Sequence, residues 1–204
     1  HSSIAADAND TIAFGVAVEN LARDRPVHIL VNNSGGPPGG PAHSAKVEEY
    51  TNAFSQHLIA NQIALQAVLS GMRAAGYGRV VNVISTSVKE PIDNLGVSNT
   101  VRAAVAAWAK TCSRELAPFG ITVNNVLPGF TRTQRLDAII AAKARASGES
   151  EAEVARELQG VVPAGRFADP AEIAAVIAFL CTPAAAYVNG VSIAVDGGRT
   201  HALS

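Results

Sequence analysis

Apolar side chains recur at Ile12, Phe14, Val16, Val18 and Leu21 among acidic and basic neighbours, which predicts a helix over residues 10–24. A compact β-branched run follows at residues 27–31, bounded by Pro26 and by the Asn-, Ser-, Gly- and Pro-rich residues 32–41. It reads as a buried strand feeding a flexible loop. Residues 47–75 are helical in pattern, with Phe54, Leu58, Leu65, Leu69 and Met72 on one side, and the run ends at Gly76 and Gly78. Residues 79–84 form the next strand, with Ser85, Thr86 and Ser87 at its carboxyl end. Val101, Ala104, Val105, Trp108, Cys112 and Leu116 then mark a long amphipathic helix, stopped by Pro118 and Gly120. Residues 121–127 are a third strand, broken by Pro128 and Gly129. Residues 134–160 are alanine-rich, charged and weakly apolar, which predicts helices serving as a lid rather than a core. Asp169 followed by Pro170 is an N-cap with proline at the first helical position, opening a helix to Leu180. Residues 191–195 form the last strand, closed by Asp196, Gly197 and Gly198.

Strands alternating with long helices require crossover connections, so the fold class is α/β: a doubly wound, mainly parallel sheet in a three-layer α/β/α arrangement. In such sheets a ligand sits beyond the carboxyl ends of the strands. That rule singles out residues 32–36, 85–87 and 128–133, all small, polar or rich in Gly and Pro, which suits a backbone approaching a ligand closely.

Composition narrows the picture. With 204 residues, 48% hydrophobic and 16% charged, and a mean hydropathy of +0.19, the chain is too apolar for disorder and sized for one domain, residues 1–204. Sixteen basic residues against 17 acidic ones, a net charge of -1, leave no electrostatic footprint for nucleic acid or an anionic membrane. Cys112 and Cys181 stand far apart without metal-type spacing and read as small hydrophobes in a reducing, cytoplasmic setting. No apolar run has the length of a spanning segment, and no signal peptide is expected.

Four segments carry a family likeness through their order and spacing. Residues 32–35 (Asn, Asn, Ser, Gly), residues 78–85 ending in Ser85, residues 120–129 ending in Pro128 and Gly129, and residues 187–198 ending in Gly197 and Gly198 resemble the short-chain dehydrogenase/reductase family. They correspond to its Asn-Asn-Ala-Gly turn, its serine-bearing strand, its cofactor-facing Pro-Gly strand and its closing strand. The resemblance runs from Ile4 to Gly198. It implies a Rossmann-type fold, NAD or NADP as cofactor, and reversible hydride transfer between a small carbonyl and an alcohol. It also implies packing of the helix at 99–117, with its broad apolar face and Trp108, against its mate in a homodimer or homotetramer.

The family's usual catalytic set is an Asn, a Ser and a Tyr-x-x-x-Lys pair. The positions here that match it are His57, Ser85, Ser98 and Arg102, so only the serine is retained. An alkyl hydroxyl at Ser98 is a far weaker acid than a phenol of pKa about 10 and is no proton donor by itself. Arg102, four residues on and on the same helix face, stays charged; it can hold a ribose hydroxyl or a substrate anion but does not trade protons. His57 brings an imidazole suited to proton transfer, whereas its bland role is a hydrogen-bonded helix residue. Ser85 is placed to orient a carbonyl oxygen or, more plainly, to cap local backbone. Lys89 and Asp93, in the loop between Ser85 and Ser98, are either outside suppliers of a proton or, more plainly, solvated loop charges. Tyr77 lies at the wrong end of its strand, and Tyr50 and Tyr187 read as packing residues.

By the same resemblance the cofactor contacts are Asp7 near adenine, the backbone of Asn33, Ser34 and Gly35 along the adenosine, Arg102, and Pro128, Gly129 and Thr133 at the nicotinamide amide. Asp7 reads equally as a helix N-cap. The phosphate-binding Gly-x-x-x-Gly-x-Gly turn does not occur in these residues, and the likeness begins at the family's third strand. The expectation is therefore that a first βαβ unit, roughly 30 residues or more, stands in front of His1 in the full protein. Two further readings follow from the altered residues: a family-fold binding or oligomer subunit without redox chemistry, and a non-redox lyase or dehalogenase using Ser85 and Arg102. The second is similar to the halohydrin dehalogenases in its arginine alone, since those keep the tyrosine.

Overall fold

The computed structural model describes residues 3–203; His1, Ser2 and Ser204 lie outside it. Four strands, β1 (Ile29–Asn32), β2 (Gly78–Val83), β3 (Ile121–Pro128) and β4 (Ser192–Val195), form a sheet in the order β1-β2-β3-β4 with every neighbouring pair parallel. Each parallel step needs a crossover, and helices supply it. Helices α2 (Val47–Phe54) and α3 (Ala60–Ala75) join β1 to β2, and α4 (Gly96–Leu116) joins β2 to β3. Helices α5 (Gln134–Ser147), α6 (Glu151–Gly160) and α7 (Pro170–Leu180) join β3 to β4, while α1 (Thr11–Asp24) precedes β1 and packs along α3.

Strand alternation sorts the two faces. Val80, Ile121 and Val123 meet Leu65, Val68 and Met72 of α3 and Ala109, Cys112 and Leu116 of α4 in the main buried cluster. Val81 and Val126 point the opposite way, against Ile173 and Leu180 of α7. Helices thus cover both faces, and each fully buried side chain such as Met72 or Ile121 contributes about 1.5–3 kcal/mol.

Polar side chains also cross the sheet at one level. Register aligns Asn32, Asn82, Asn125 and Ser192. Asn32 Nδ2 donates to Asn82 Oδ1 (2.8 Å), Asn82 Nδ2 to Asn125 Oδ1 (2.9 Å), and Asn125 Nδ2 to Ser192 Oγ (3.0 Å). Buried amides require partners, and the parallel register supplies each from the next strand.

Several expectations are corrected. β1 is not fully buried: Leu30 packs into the main cluster, but Ile29 and Val31 are 46% and 42% exposed because β1 is a sheet edge with no helix over that face among the described residues. The loop after it is tied down rather than loose, by Gly40 N–H to Asn94 O, Gly96 N–H to Gly40 O, and two bonds from Arg135 to Gly36 O and Pro37 O. Residues 47–75 are helical throughout but pass through a wider π-type turn at Ser55–Ile59, which carries His57. Residues 134–160 have a core of their own, where Leu136, Ile140, Ala144, Val154 and Leu158 bury themselves with Phe167. Spread over two helices, those few apolar positions look sparse in sequence, yet they converge. On α4, Trp108 is half-buried and donates its Nε1–H to Gln62 Oε1 (2.8 Å), while Ala103, Ala107 and Thr111 face outward. Tyr187 does not pack at all and stands fully exposed, whereas Tyr50 packs against Ala53 and Val97 as expected. No helix of the described residues is long and apolar enough to cross a membrane.

Candidate active site

The carboxyl ends of the strands open on one cleft of about 650 Å³. β1 ends in the loop that supplies Asn33, Ser34, Gly35 and Gly36, and β2 leads to Ser85 and Thr86. The first two turns of α4 add Ser98 and Arg102, and β3 leads to Pro128, Gly129, Thr131 and Thr133. Topology therefore brings together nine of the sequence-selected positions: Asn33, Ser34, Gly35, Ser85, Ser98, Arg102, Pro128, Gly129 and Thr133 all line the same space. Ile139, Ile173 and Ile177 form an apolar wall.

Ser85 has extended backbone dihedrals, and its Oγ accepts the Ser87 N–H at 3.1 Å, capping a short 3₁₀ turn. That bond occupies a lone pair only, so the hydroxyl proton stays available to a ligand oxygen in the cleft. Ser98 is buried one turn before Arg102. Arg102 is 7% exposed; its Nη1 donates to Val83 O (3.2 Å) and its Nη2 to Ser34 O (3.4 Å), while Nε is buried without a partner. Burial, with Arg135 nearby, lowers its pKa to about 10.

His57 is 1% exposed and stands behind the cleft wall rather than on it. Its Nδ1 lies 2.6 Å from Ser34 Oγ in a hydrogen bond, and its Nε2 has no partner. Burial first, then Arg102 and Arg135, lower its pKa to about 4, so the ring is neutral at ordinary pH. The neutral imidazole thus adjoins the cleft through Ser34, a lining residue, rather than lining it itself.

Other candidates fall away from the site. Asp7 is exposed on the segment before α1, accepting the Asn9 N–H (2.9 Å); the N-cap of that helix is Asp10, which accepts the Ala13 N–H. Lys89 and Asp93 lie outside the cleft lining, as do the tyrosines, and Tyr77 gives its hydroxyl proton to Cys181 O (2.7 Å).

Sequence reasoning missed two arginines. Arg135, in the first turn of α5, lies over the glycine loop, where a Cβ on Gly36 would stand 2.6 Å from its Nη2. Arg199 follows β4, aimed by the turn that Asp196 closes through bonds from Gly198 N–H, Thr200 N–H and Thr200 Oγ–H. Burial alone would raise the Asp196 carboxyl; those donors outweigh it and hold the pKa below its ordinary value. The Arg199 guanidinium sits 4.7 Å over the Phe130 ring and donates to Thr86 Oγ1 (3.4 Å). The strand-end rule, extended to β4, points to Arg199; Arg135 lies inside a helix where that rule gives no signal.

Gly35 leaves the backbone bare, since a Cβ there would meet nothing within 4 Å, and Pro128, Gly129, Thr131 and Thr133 line the opposite part of the cleft, where a flat ring and its amide find backbone and hydroxyl partners. These residues fit the nicotinamide end of a dinucleotide.

A parallel sheet with helices on both faces and a cleft at its strand ends defines the doubly wound α/β class. A family model described as enoyl-(acyl carrier protein) reductase matches residues 1–200. The 3-oxoacyl-[acyl-carrier-protein] reductase FabG of Vibrio cholerae is 37% identical over 174 residues, 84% of this chain and 66% of that protein. The NADPH-dependent reductase BacG of Bacillus subtilis is 30% identical over 175 residues, 86% of this chain and 68% of that one. L-sorbose reductase from Gluconobacter frateurii, solved with NADPH and L-sorbose, matches with a TM-score of 0.91 at 26% identity, covering 98% of this chain and 77% of that one. The chain belongs to the short-chain dehydrogenase/reductase family. It spans about two thirds of the length of the curated relatives it matches, at 66% and 68%.

Proposed function

We propose that the polypeptide carrying this chain is an NAD(P)-dependent oxidoreductase acting on a small carbonyl or alcohol. The observation that carries the reading is the convergence of Asn33, Ser34, Gly35, Ser85, Ser98, Arg102, Pro128, Gly129 and Thr133 on one cleft at the strand ends. When bound, the nicotinamide supplies or accepts the hydride. Pro128, Gly129, Thr131 and Thr133 hold its ring and amide, and the open backbone at Asn33–Gly35 follows the adenosine side. Asp7 is kept as an outlying contact for the adenine end.

Ser85 donates a hydrogen bond to the substrate oxygen and fixes its position, without giving up its proton. Ser98 adds a second small hydroxyl beside it, and Arg102 places a fixed charge where the family has its lysine. Ser34 lines the oxygen side of the cleft, with His57 behind it as a positioning residue that fixes the Ser34 hydroxyl. Helices α5 and α6 form the substrate lid, α5 bringing Arg135, Leu136 and Ile139 to the cleft, and the chain works as a homodimer or homotetramer.

Turnover of a carbonyl panel with NADPH tests these roles. Ser85→Ala is expected to lower kcat/KM by on the order of 10²-fold, the size of losing one positioned donor. His57→Ala is expected to lower it less and to change its pH profile. Unchanged turnover in both variants would remove the roles assigned to them.

A further inference from the structure

We infer that the cleft takes an oxoacid group carried by the substrate, so that the substrate class is a carbonyl or alcohol compound bearing a carboxylate or phosphate. The inference rests on the oxidoreductase reading above. Three guanidiniums, Arg102, Arg135 and Arg199, line the cleft, and none of its lining residues is acidic. Among the described residues the ion pair formed is Arg166–Glu172, far along the chain from these three.

Arg102 is the sharpest of them. At 7% exposure its charge is withdrawn from water, yet it is met only by two carbonyl oxygens at 3.2 and 3.4 Å, and its Nε–H is buried without an acceptor. A buried guanidinium is ordinarily matched by an anion, because neutral acceptors repay its lost hydration incompletely. Arg135 adds a second positive charge close enough to disfavour the protonated form of Arg102, the reverse of what a self-contained network would do. A planar fork of N–H donors matches the paired oxygens of carboxylate and phosphate, and a neutral polyol satisfies it less well.

Two molecules in this reading carry such a group: the dinucleotide through its pyrophosphate, and the substrate. In the doubly wound fold the pyrophosphate sits at the turn after the first strand and on the following helix N-terminus. Arg102 and Arg199 instead flank the serines: Arg102 is one helical turn from Ser98, and Arg199 bonds Thr86, the neighbour of Ser85. Their charges therefore stand around the oxygen to be reduced, which favours the substrate as carrier.

The test uses the complete polypeptide saturated with NADPH and a matched pair of probes, 4-oxopentanoate and 4-oxopentanamide, titrated by calorimetry. The acid is expected to bind about tenfold tighter than the amide. That advantage shrinks as sodium chloride rises from about 50 to about 300 mM. It also falls to about threefold or less in Arg135→Gln and Arg199→Gln, each checked for folding by circular dichroism. Equal affinity of the unsubstituted protein for acid and amide overturns the inference, as does a preference left undiminished in both variants, while turnover of neutral carbonyls would leave the oxidoreductase reading standing. An acid preference seen in the cofactor-free protein but abolished by NADPH assigns the arginines to the pyrophosphate and overturns it as well. A polypeptide that binds no NADPH yet keeps the preference, and loses it in both variants, supports the anion site and removes the redox reading instead.

Discussion

At residue scale, His57 makes the clearest statement about pH. Burial, then Arg102 and Arg135, hold its pKa at about 4 against an ordinary 6.5. The unfolded chain therefore binds a proton that the folded chain refuses between those values, and the stability present above 6.5 is lost as pH falls toward 4. Between about pH 7 and pH 4.5 the loss from this group is about 2.5 kcal/mol. Denaturant unfolding of the native protein and His57→Gln at both pH values checks it: the gap between them should narrow by about that amount at the lower pH, and parallel pH dependences would contradict it. Its position in a π-type turn, bonded to Ser34, was not legible in sequence, because 23 residues separate the two and the turn keeps an ordinary helical apolar pattern.

At the scale of elements, the sheet's ends and its polar ladder carry the fold. A Cβ on Gly129 would lie 2.6 Å from Asp196 Cα, so Gly129→Ala must part the ends of β3 and β4 and should cost about 3 kcal/mol. Gly76→Ala tests the opposite case: φ is +60° but the space is open, and the expected loss is about 1 kcal/mol. Equal losses in thermal unfolding would show that crowding at Gly129 is relieved elsewhere. In the ladder, Asn82→Ala strands both Asn32 and Asn125 and should destabilise by about 3 kcal/mol, against about 1 for Asn32→Ala at the half-exposed edge. The elements themselves were legible. Proline 170 after Asp169, the glycines after residues 75 and 119, and the β-branched runs placed helices and strands within a few residues. The ladder was not, since an Asn inside a strand announces a partner only once the register is known.

At the scale of the molecule, three of the site's segments were visible because small and glycine-rich text at strand ends has few other uses, while the charges that complete it were not. Arg135 and Arg199 come from α5 and from beyond β4, and only the crossover topology sets them around Ser85 and Ser98. The same scale governs assembly. Phe179, Tyr187 and Val191 are exposed on the segment that leads into the β4 edge strand. Light scattering should find a dimer or tetramer, with Tyr187→Ser raising the monomer fraction; a monomer at every concentration would contradict the proposed assembly.

All of this turns on whether the cleft holds a nicotinamide. Titrating the complete polypeptide with NADPH and with NADH, while following cofactor fluorescence, is the most direct measurement. Saturable binding of at least one of them, weakened by Arg102→Ala, is the expected result, and no binding of either would contradict the account.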